Sequence, residues 1–363
     1  MARWQVAAQN APLILRGIYE YNIASRFGPL RPREWLFPVT YRCDARCIMC
    51  HIWQTDKSAE LSFEDWANVL QDPLFSSVES VSLTGGEPTL HRDLPRLAEL
   101  LTVRLASLQR LTLTTNALNS QRVEEHCLAL LDLCLARHIR FFVGISLDGI
   151  GKVHDEMRNL AGAFDEVART AERLLRLQPR GLRLGINCTL TSRNLDEAGR
   201  VHRWGAAQGL RVNFIVASFA DSYYANTESA AELAFTTEQR TKLAAFLGQL
   251  ASQKSPGYLA AYFYADAAAM VGRGKSRATP CVFQKDAFML DARGDLQYCM
   301  YSRTLGNVLD HTASDIYYGE DNLAHRQEII ASKCRHCTIT CFLELALAKD
   351  AFRYARFLAG GLP

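Results

Sequence analysis

No apolar run in this chain of 363 residues reaches the roughly 18 that cross a bilayer, and the N-terminus lacks the basic, then apolar, then small-residue order of a secretion signal. Both absences point to the cytoplasm and to a protein with no transmembrane segment. A prevailing charge is missing too: 41 Lys and Arg stand against 38 Asp and Glu, and the net +3 gives no reason to expect nucleic acid or a membrane surface as partner. Internal repeats and low-complexity tracts are also absent. What the chain does have is 48 % hydrophobic residues, enough to fill the core of one large domain or of one domain with a smaller appendage. It also has 11 cysteines, an odd number in a long chain without a secretion signal, so metal or reactive thiols are favoured over a disulfide framework.

Residues 1–34 contain LILRGIYEYNIASRFG, apolar at mixed helical spacing, then the breaker-rich GPLRPRE, and predict a short helix and linker. Over residues 35–255, six β-rich runs (WLFPVT, SVSLT, LTLTT, FFVGIS, LRLGINCTL and RVNFIVAS) alternate with helical stretches that begin near Ser62, Asp93, Gln121, Gly162, Leu195 and Thr237. Such alternation predicts an α/β chain on a parallel sheet, and six βα units make a partial (β/α)6 barrel of the TIM type. Beyond it the alternation stops. FMLDARGDLQYC, Phe288 to Cys299, predicts a hairpin turning at Arg293-Gly294, and FLELALAKDAFRYARFLA a closing helix, so residues 256–363 are expected to form a small C-terminal domain.

The polar exceptions fall at strand ends. Cys43, Cys47 and Cys50 follow the first strand in YRCDARCIMCHIW, GGEP (Gly85 to Pro88) follows the second, Thr115 and Asn116 end the third, and SLDG (Ser146 to Gly149) ends the fourth. In βα barrels the site is assembled at the C-terminal ends of the strands, so four elements converge on one rim. Three thiolates do not complete a tetrahedral zinc site; they can hold three irons of a [4Fe–4S] cluster and leave the fourth open to a ligand, which makes that iron a reaction site. The triplet by itself leaves zinc open as well.

CxxxCxxC after a first strand, followed by LTGGEP at the next, resembles the radical S-adenosylmethionine (SAM) superfamily over about residues 35–250. The resemblance implies that Cys43, Cys47 and Cys50 hold the cluster and that SAM chelates the fourth iron through its amino and carboxylate groups. An electron from the reduced cluster then cleaves the sulfur–C5′ bond, giving methionine and a 5′-deoxyadenosyl radical that abstracts a substrate hydrogen. A flavodoxin- or ferredoxin-type electron donor is implied as partner. Gly85 and Gly86 would let backbone approach the methionine end, and Glu87 would offer a carboxylate to its ammonium group. SLDGIGKVHDEMRNLAGAF resembles a stretch of the peptide- and sugar-modifying branch. By that match Ser146 contacts the ribose or methionine part of SAM and Arg158 its carboxylate, while Asn187 in GINCTL faces the barrel interior beside the nucleoside. Asn116 completes the cofactor-binding set. Two positions depart from the pattern: Met49 stands where an aromatic residue usually precedes the third cysteine, and Ala117 gives TNA in place of TNG.

Five further cysteines crowd the last quarter. Cys281 and Cys299 are separated by the hairpin, and CRHCTITC supplies Cys334, Cys337 and Cys341. This resembles the auxiliary-cluster domains called SPASM and twitch, and implies one auxiliary [4Fe–4S] cluster held by Cys281, Cys299, Cys334 and Cys337. Cys341 is then a spare structural thiol, an alternative ligand, part of a partial second site, or a hydrogen donor to a substrate radical. A zinc knuckle is the alternative for the whole tail. Cys127 and Cys134 share a helical face with Val123 and Leu130 and are expected to be buried; Cys188 is expected to point away from the face that Asn187 presents. His51 and Trp53 are expected to cover the cluster, and Asp221, Tyr223 and Tyr224 to form a substrate wall or an ordinary loop.

The expected function is reductive SAM cleavage and hydrogen abstraction, for dehydrogenation or epimerisation of a small molecule such as a sugar, aminocyclitol or glycolipid precursor. The 34 residues before the barrel, few for a leader-binding domain, tilt the reading that way. A ribosomal-peptide maturase with a separate leader-binding protein, forming a thioether, a C–C crosslink or an epimer, is the enzyme alternative. A non-catalytic iron–sulfur or zinc-binding protein is the alternative of another class.

Overall fold

Glu34–Thr40, the first strand (β1), is buried along its whole length, as a strand of a parallel sheet covered on both faces must be. The computed structural model describes residues 15–253, 260–339 and 351–360. Five more parallel strands follow β1: β2 (Ser80–Gly85), β3 (Arg110–Thr115), β4 (Arg140–Ser146), β5 (Arg183–Leu190) and β6 (Arg211–Val216). They pair in sequence order, the arrangement of an opened (β/α) barrel. β7 (Ala287–Leu290), β8 (Asp295–Gln297) and β9 (Gly306–Asn307) extend the same sheet, whose full order is β6-β5-β4-β3-β2-β1-β7-β8-β9.

From β2 to β6 the two faces differ. Leu111, Leu113, Phe141, Val143, Ile145, Ile186, Cys188, Val212 and Phe214 are buried, on the side the helices cover. The alternate residues, among them Thr84, Thr114, Gly144, Ser146, Asn187, Thr189 and Asn213, are only half-buried and form the concave side. Local chemistry sets the helix starts near the expected positions. Ser62 caps Phe63–Val69 in a reciprocal bond pair with Asp65, Asn119 caps Ser120–Ala136, and Thr236 pairs with Gln239 to cap Thr237–Ser252. Cys127 and Cys134 are buried on the second of these helices.

The chain divides into two compact units that do not follow the expected boundaries. One contains Pro32–Ala234 and Ala287–His325; the other gathers Met1–Arg31, Phe235–Asp286 and Arg326–Pro363. The hairpin therefore belongs with the barrel sheet and not with a C-terminal domain. The cause is β1: a strand buried throughout needs hydrogen-bond partners on both edges, and β7 supplies the second by pairing parallel to it, Trp35 opposite Phe288. Trp35 locks the pairing. It stacks on Phe37 at 4.3 Å and Phe288 at 5.7 Å between centroids, and its Nε1 donates to the Leu290 carbonyl at 3.1 Å. In the other unit the helices Thr237–Ser252 and Ala260–Arg273 pack on each other, so the sixth expected helix lies outside the barrel unit. Among the described residues no helix is long and apolar enough to cross a membrane.

The hairpin turns where expected, at Gly294, whose φ of +84° favours glycine. A Cβ there would come within 2.9 Å of Val308 Cγ2 and 3.2 Å of Leu61 Cδ1. Gly294→Ala is expected to cost about 1–2 kcal/mol, read as a lower urea midpoint at unchanged m-value. An unshifted midpoint would show that the turn is not held in this conformation.

Candidate functional site

Between Tyr41 and Gln54 the chain carries one 3-10 turn, Ile52–Gln54, and otherwise takes its hydrogen bonds from its surroundings. Arg46 N and Ile48 N donate to the last carbonyls of the helix Lys152–Arg158, those of Arg158 and Met157, at 3.3 and 3.1 Å. His51 N donates to Tyr224 O at 2.8 Å, and the buried Asn226 donates from Nδ2 to Met49 O at 2.8 Å. Tyr41 is buried and its hydroxyl donates to Asp291 in the hairpin. The loop is thus fixed to the fourth crossover, to the loop after β6 and to the β7–β8 turn.

The GGEP turn closes on the same loop. Gly86 N donates to Thr40 O at 2.8 Å and Glu87 N to Arg42 O at 2.7 Å. A Cβ on Gly85, at φ +124°, would lie 2.3 Å from Thr40 O, and one on Gly86 would lie 2.2 Å from Arg42 O. The two glycines therefore admit backbone against backbone. The close approach expected toward SAM is, in this structure, an approach of the turn to the cysteine loop.

Glu87 is fully buried. Its Oε1 accepts from Thr89 N at 3.2 Å, Thr89 Oγ1 at 2.7 Å and Thr115 Oγ1 at 2.9 Å, and its Oε2 from Asn116 N at 2.7 Å. Burial raises its pKa, while the donors pull it back. The carboxylate expected to meet the SAM ammonium group here ties the ends of β2 and β3 together. Asn116 carries the link onward, donating from Nδ2 to Asp44 Oδ1 at 2.7 Å and lying 3.9 Å from Cys43 Sγ. Arg122 closes the ring with Asp44 at 2.6 Å and Thr89 Oγ1 at 3.2 Å. Ala117, where the resembling pattern has glycine, sits in the left-handed region at φ 60°.

Arg158, expected at the SAM carboxylate, has partners within the protein. Its Nη2 pairs with Asp148 Oδ2 at 2.6 Å and its Nη1 lies 3.4 Å from Cys47 Sγ, so both ends of the guanidinium are engaged inside the protein. Ser146 and Asn187 do meet: they are register partners on β4 and β5, and Asn213 on β6 donates to Asn187 Oδ1 at 3.3 Å. The absent side chain of Gly144 makes room for Asn187, since a Cβ there would be 2.5 Å from Asn187 Nδ2. Cys188 is buried on the opposite face, as expected. His51 pairs with Glu228 at 3.1 Å, Arg46 lies 4.6 Å over the Trp53 ring, and Tyr223 reaches across to Thr84 Oγ1 at 3.2 Å.

Cys47 is buried, and Cys43 and Cys50 are half-buried. Burial pushes the Cys43 and Cys50 thiols up to about 12, so as free groups they stay protonated at neutral pH and become thiolates when a cation takes the proton's place. Among the described residues no three His, Cys, Asp or Glu side chains converge on one point. A single zinc ion needs such convergence at about 2.3 Å, whereas in an iron–sulfur cluster each cysteine takes its own iron. Three thiols on one loop are the donor chemistry that such a cluster takes. In the other unit, burial likewise raises Cys334 and pushes Cys337 up to about 11. Arg277 braces that segment, donating to the carbonyls of Cys337 at 3.0 Å and Ile339 at 2.9 Å. Cys299 belongs to the barrel unit, and Cys341 lies outside the described residues.

Residues 37–203 match the family model described as the radical SAM superfamily. Over these residues the chain is similar to that family. The family uses a [4Fe–4S] cluster and SAM. Fe-coproporphyrin III synthase of Methanosarcina barkeri is 29 % identical to this chain over 165 residues, 44 % of this chain and 37 % of that protein. Pre-heme d1 synthase of Dinoroseobacter shibae is 31 % identical over 168 residues, with the same shares. The chain thus spans little more than a third of either relative. The fold of residues 37–203 and their flanks resembles that of SuiB from Streptococcus suis bound to S-adenosylmethionine, at 16 % identity and TM-score 0.60, over 93 % of this chain and 78 % of that one. It also resembles anSMEcpe with bound AdoMet and a peptide, at 18 % identity and TM-score 0.62, over 91 % and 99 %.

Asp148, Asn226, Asp44 and Arg122 organise this site without having been singled out from the sequence. Asp148 lay inside the SLDG motif and was readable as polar and near the rim; nothing in the sequence marks Asn226, whose importance comes from a contact 177 residues away. Glu87→Gln tests the inward carboxylate. A glutamine keeps one accepting oxygen and turns an N–H group toward a donor, so the unfolding free energy of the metal-free protein should fall by about 1–3 kcal/mol in urea titration. Unchanged stability would return Glu87 to the open side of the rim.

Proposed function

We propose that the chain is a radical SAM enzyme in which Cys43, Cys47 and Cys50 hold the [4Fe–4S] cluster that binds SAM. The observation carrying this reading is a loop with three cysteines held at the C-terminal strand ends, the Cys43 and Cys50 thiols raised by burial, above half-buried Thr, Ser and Asn side chains of the concave face. When bound, cluster and SAM together supply one-electron cleavage of the sulfur–C5′ bond and hence hydrogen abstraction from a substrate. The protein's own part is positioning. Ser146 would present a hydroxyl to the ribose or methionine part of SAM and Asn187 an amide beside the nucleoside, with Asn213 fixing that amide, and the glycine turn at Gly85 and Gly86 would leave its backbone near the methionine end. In the other unit, Cys281, Cys334 and Cys337 would supply thiolates to an auxiliary [4Fe–4S] cluster, and a flavodoxin- or ferredoxin-type protein would deliver the electron in the cytoplasm.

The concave side favours a neutral, hydrogen-bonding substrate. Toward the C-terminal strand ends Thr84, Thr114, Ser146, Asn187, Thr189 and Asn213 offer hydroxyls and amides, while the charged Arg110 and Arg183 lie over Phe142 at the other end of the strands. An oxygenated small molecule such as a sugar or aminocyclitol suits this lining, with dehydrogenation or epimerisation as the reaction. A peptide substrate is the second reading. It is supported by the sporulation killing factor maturation protein SkfB of Bacillus subtilis, 27 % identical over 47 % of this chain, and by likeness in fold to SuiB bound to its precursor peptide, at TM-score 0.58.

Anaerobically reconstituted protein is expected to bind about eight irons and to release 5′-deoxyadenosine from SAM under reduction; Cys43, Cys47, Cys50→Ala should keep about four irons and release none. Stoichiometric zinc with little iron would end this reading, because zinc has no redox chemistry. Deuterium carried from a labelled sugar or a labelled peptide into 5′-deoxyadenosine decides between the two substrate classes.

A further inference from the structure

We propose that Arg158 sets the reduction potential of the cluster at Cys43, Cys47 and Cys50 by holding a positive charge against the Cys47 sulfur, with Asp148 as its anchor. The inference rests on the cluster reading above. Arg158 is buried and its Nη1 lies 3.4 Å from Cys47 Sγ. Asp148, also buried, takes Nη2 at 2.6 Å and accepts from Thr189 N on β5 at 2.7 Å. The Asp148 backbone is held as well. Its N–H donates to His154 Nδ1 at 3.0 Å, and its carbonyl accepts from Asn194 Nδ2 at 2.8 Å. Burial holds His154 neutral by pulling it down to about 2, so the guanidinium is the cation of this group.

The cysteine loop is tied to the same helix by the bonds from Arg46 N and Ile48 N to the carbonyls of Arg158 and Met157. Ala45, Cys47 and Met49 pack with Met157 in one apolar cluster. Thiol and charge are therefore parts of one assembly. Other charges nearby are directed elsewhere: Arg46 donates to the carbonyls of Cys43 and Ala45, and Asp44 is taken by Arg122 and Asn116. A cluster becomes more negative when reduced, and a fixed cation on a ligand sulfur in a buried setting stabilises the reduced form. Asp148 offsets part of that charge.

The two carboxylate and guanidinium variants should then move the potential in opposite directions. In full-length reconstituted protein without SAM, EPR-monitored titration of the cluster whose signal responds to SAM in a parallel sample should show Arg158→Gln at lower potential. At a fixed potential the ratio of reduced to oxidised cluster should drop about tenfold, equal to 59 mV for a one-electron couple. Asp148→Asn should move it upward, and Arg158→Lys should restore most of the loss. An unchanged potential in Arg158→Gln, with weaker SAM binding, would overturn the proposal and assign the guanidinium to SAM. Should Arg158→Gln fail to load iron, Asp148→Asn decides: an upward shift supports the proposal and no shift overturns it. A wild-type protein without the SAM-responsive signal would instead overturn the cluster reading itself.

Discussion

A loop with three cysteines in eight residues, shaped by where its thiols must stand, has little regular structure with which to satisfy its own backbone, and that constraint orders the rim around it. Each strand-end element meets part of the need. The GGEP turn takes Thr40 O and Arg42 O, the helix Lys152–Arg158 takes Arg46 N and Ile48 N, and the segment after β6 takes Met49 O and His51 N. The helix gains in return, because its last carbonyls have no partner within the helix. Gly85 and Gly86 follow from the same constraint, since any side chain there would stand between two backbones that must bond.

Two buried acids hold this arrangement, and each is compensated differently. Glu87 has four donors and no full cation, so its charge is dispersed over hydroxyls and amides joining two segments, its own turn and the end of β3. Asp148 has a full ion pair, and this and the bond from Thr189 N to its other oxygen offset part of the burial that raises its pKa. Exposed pairs such as Arg176–Glu172 and Arg180–Asp132 are of another kind and add little to stability.

The six strands, the helix starts and the hairpin turn were readable because each depends on local periodicity, on a capping residue such as Ser62 or Asn119, or on Gly294 in its turn. The cysteines were readable because their spacing is itself the chemical requirement. Pairing of β7 with β1 was not, since it arises from burial of β1 on both faces and not from anything in the hairpin's own residues. Glu87 and Arg158 were readable as residues of the rim, but their partners within the protein were not. Their side chains are directed by Thr89, Thr115, Asn116, Asp148 and Cys47, partners that only the folded chain assembles.

Asn187 and Cys188 are neighbours in sequence and opposites in direction, the amide on the concave side of β5 and the thiol under the helices. Slippage of β5 by one residue against β4 and β6 would exchange them. The exchange would matter chemically more than mechanically. A sulfhydryl gives up its hydrogen atom to a carbon radical readily, whereas the hydroxyls and amides of Thr, Ser and Asn resist it. The register pairs Ser146 with Asn187 and Asn187 with Asn213. In a barrel that handles such a radical, they keep the interior inert, so that the hydrogen taken comes from the guest and not from the wall.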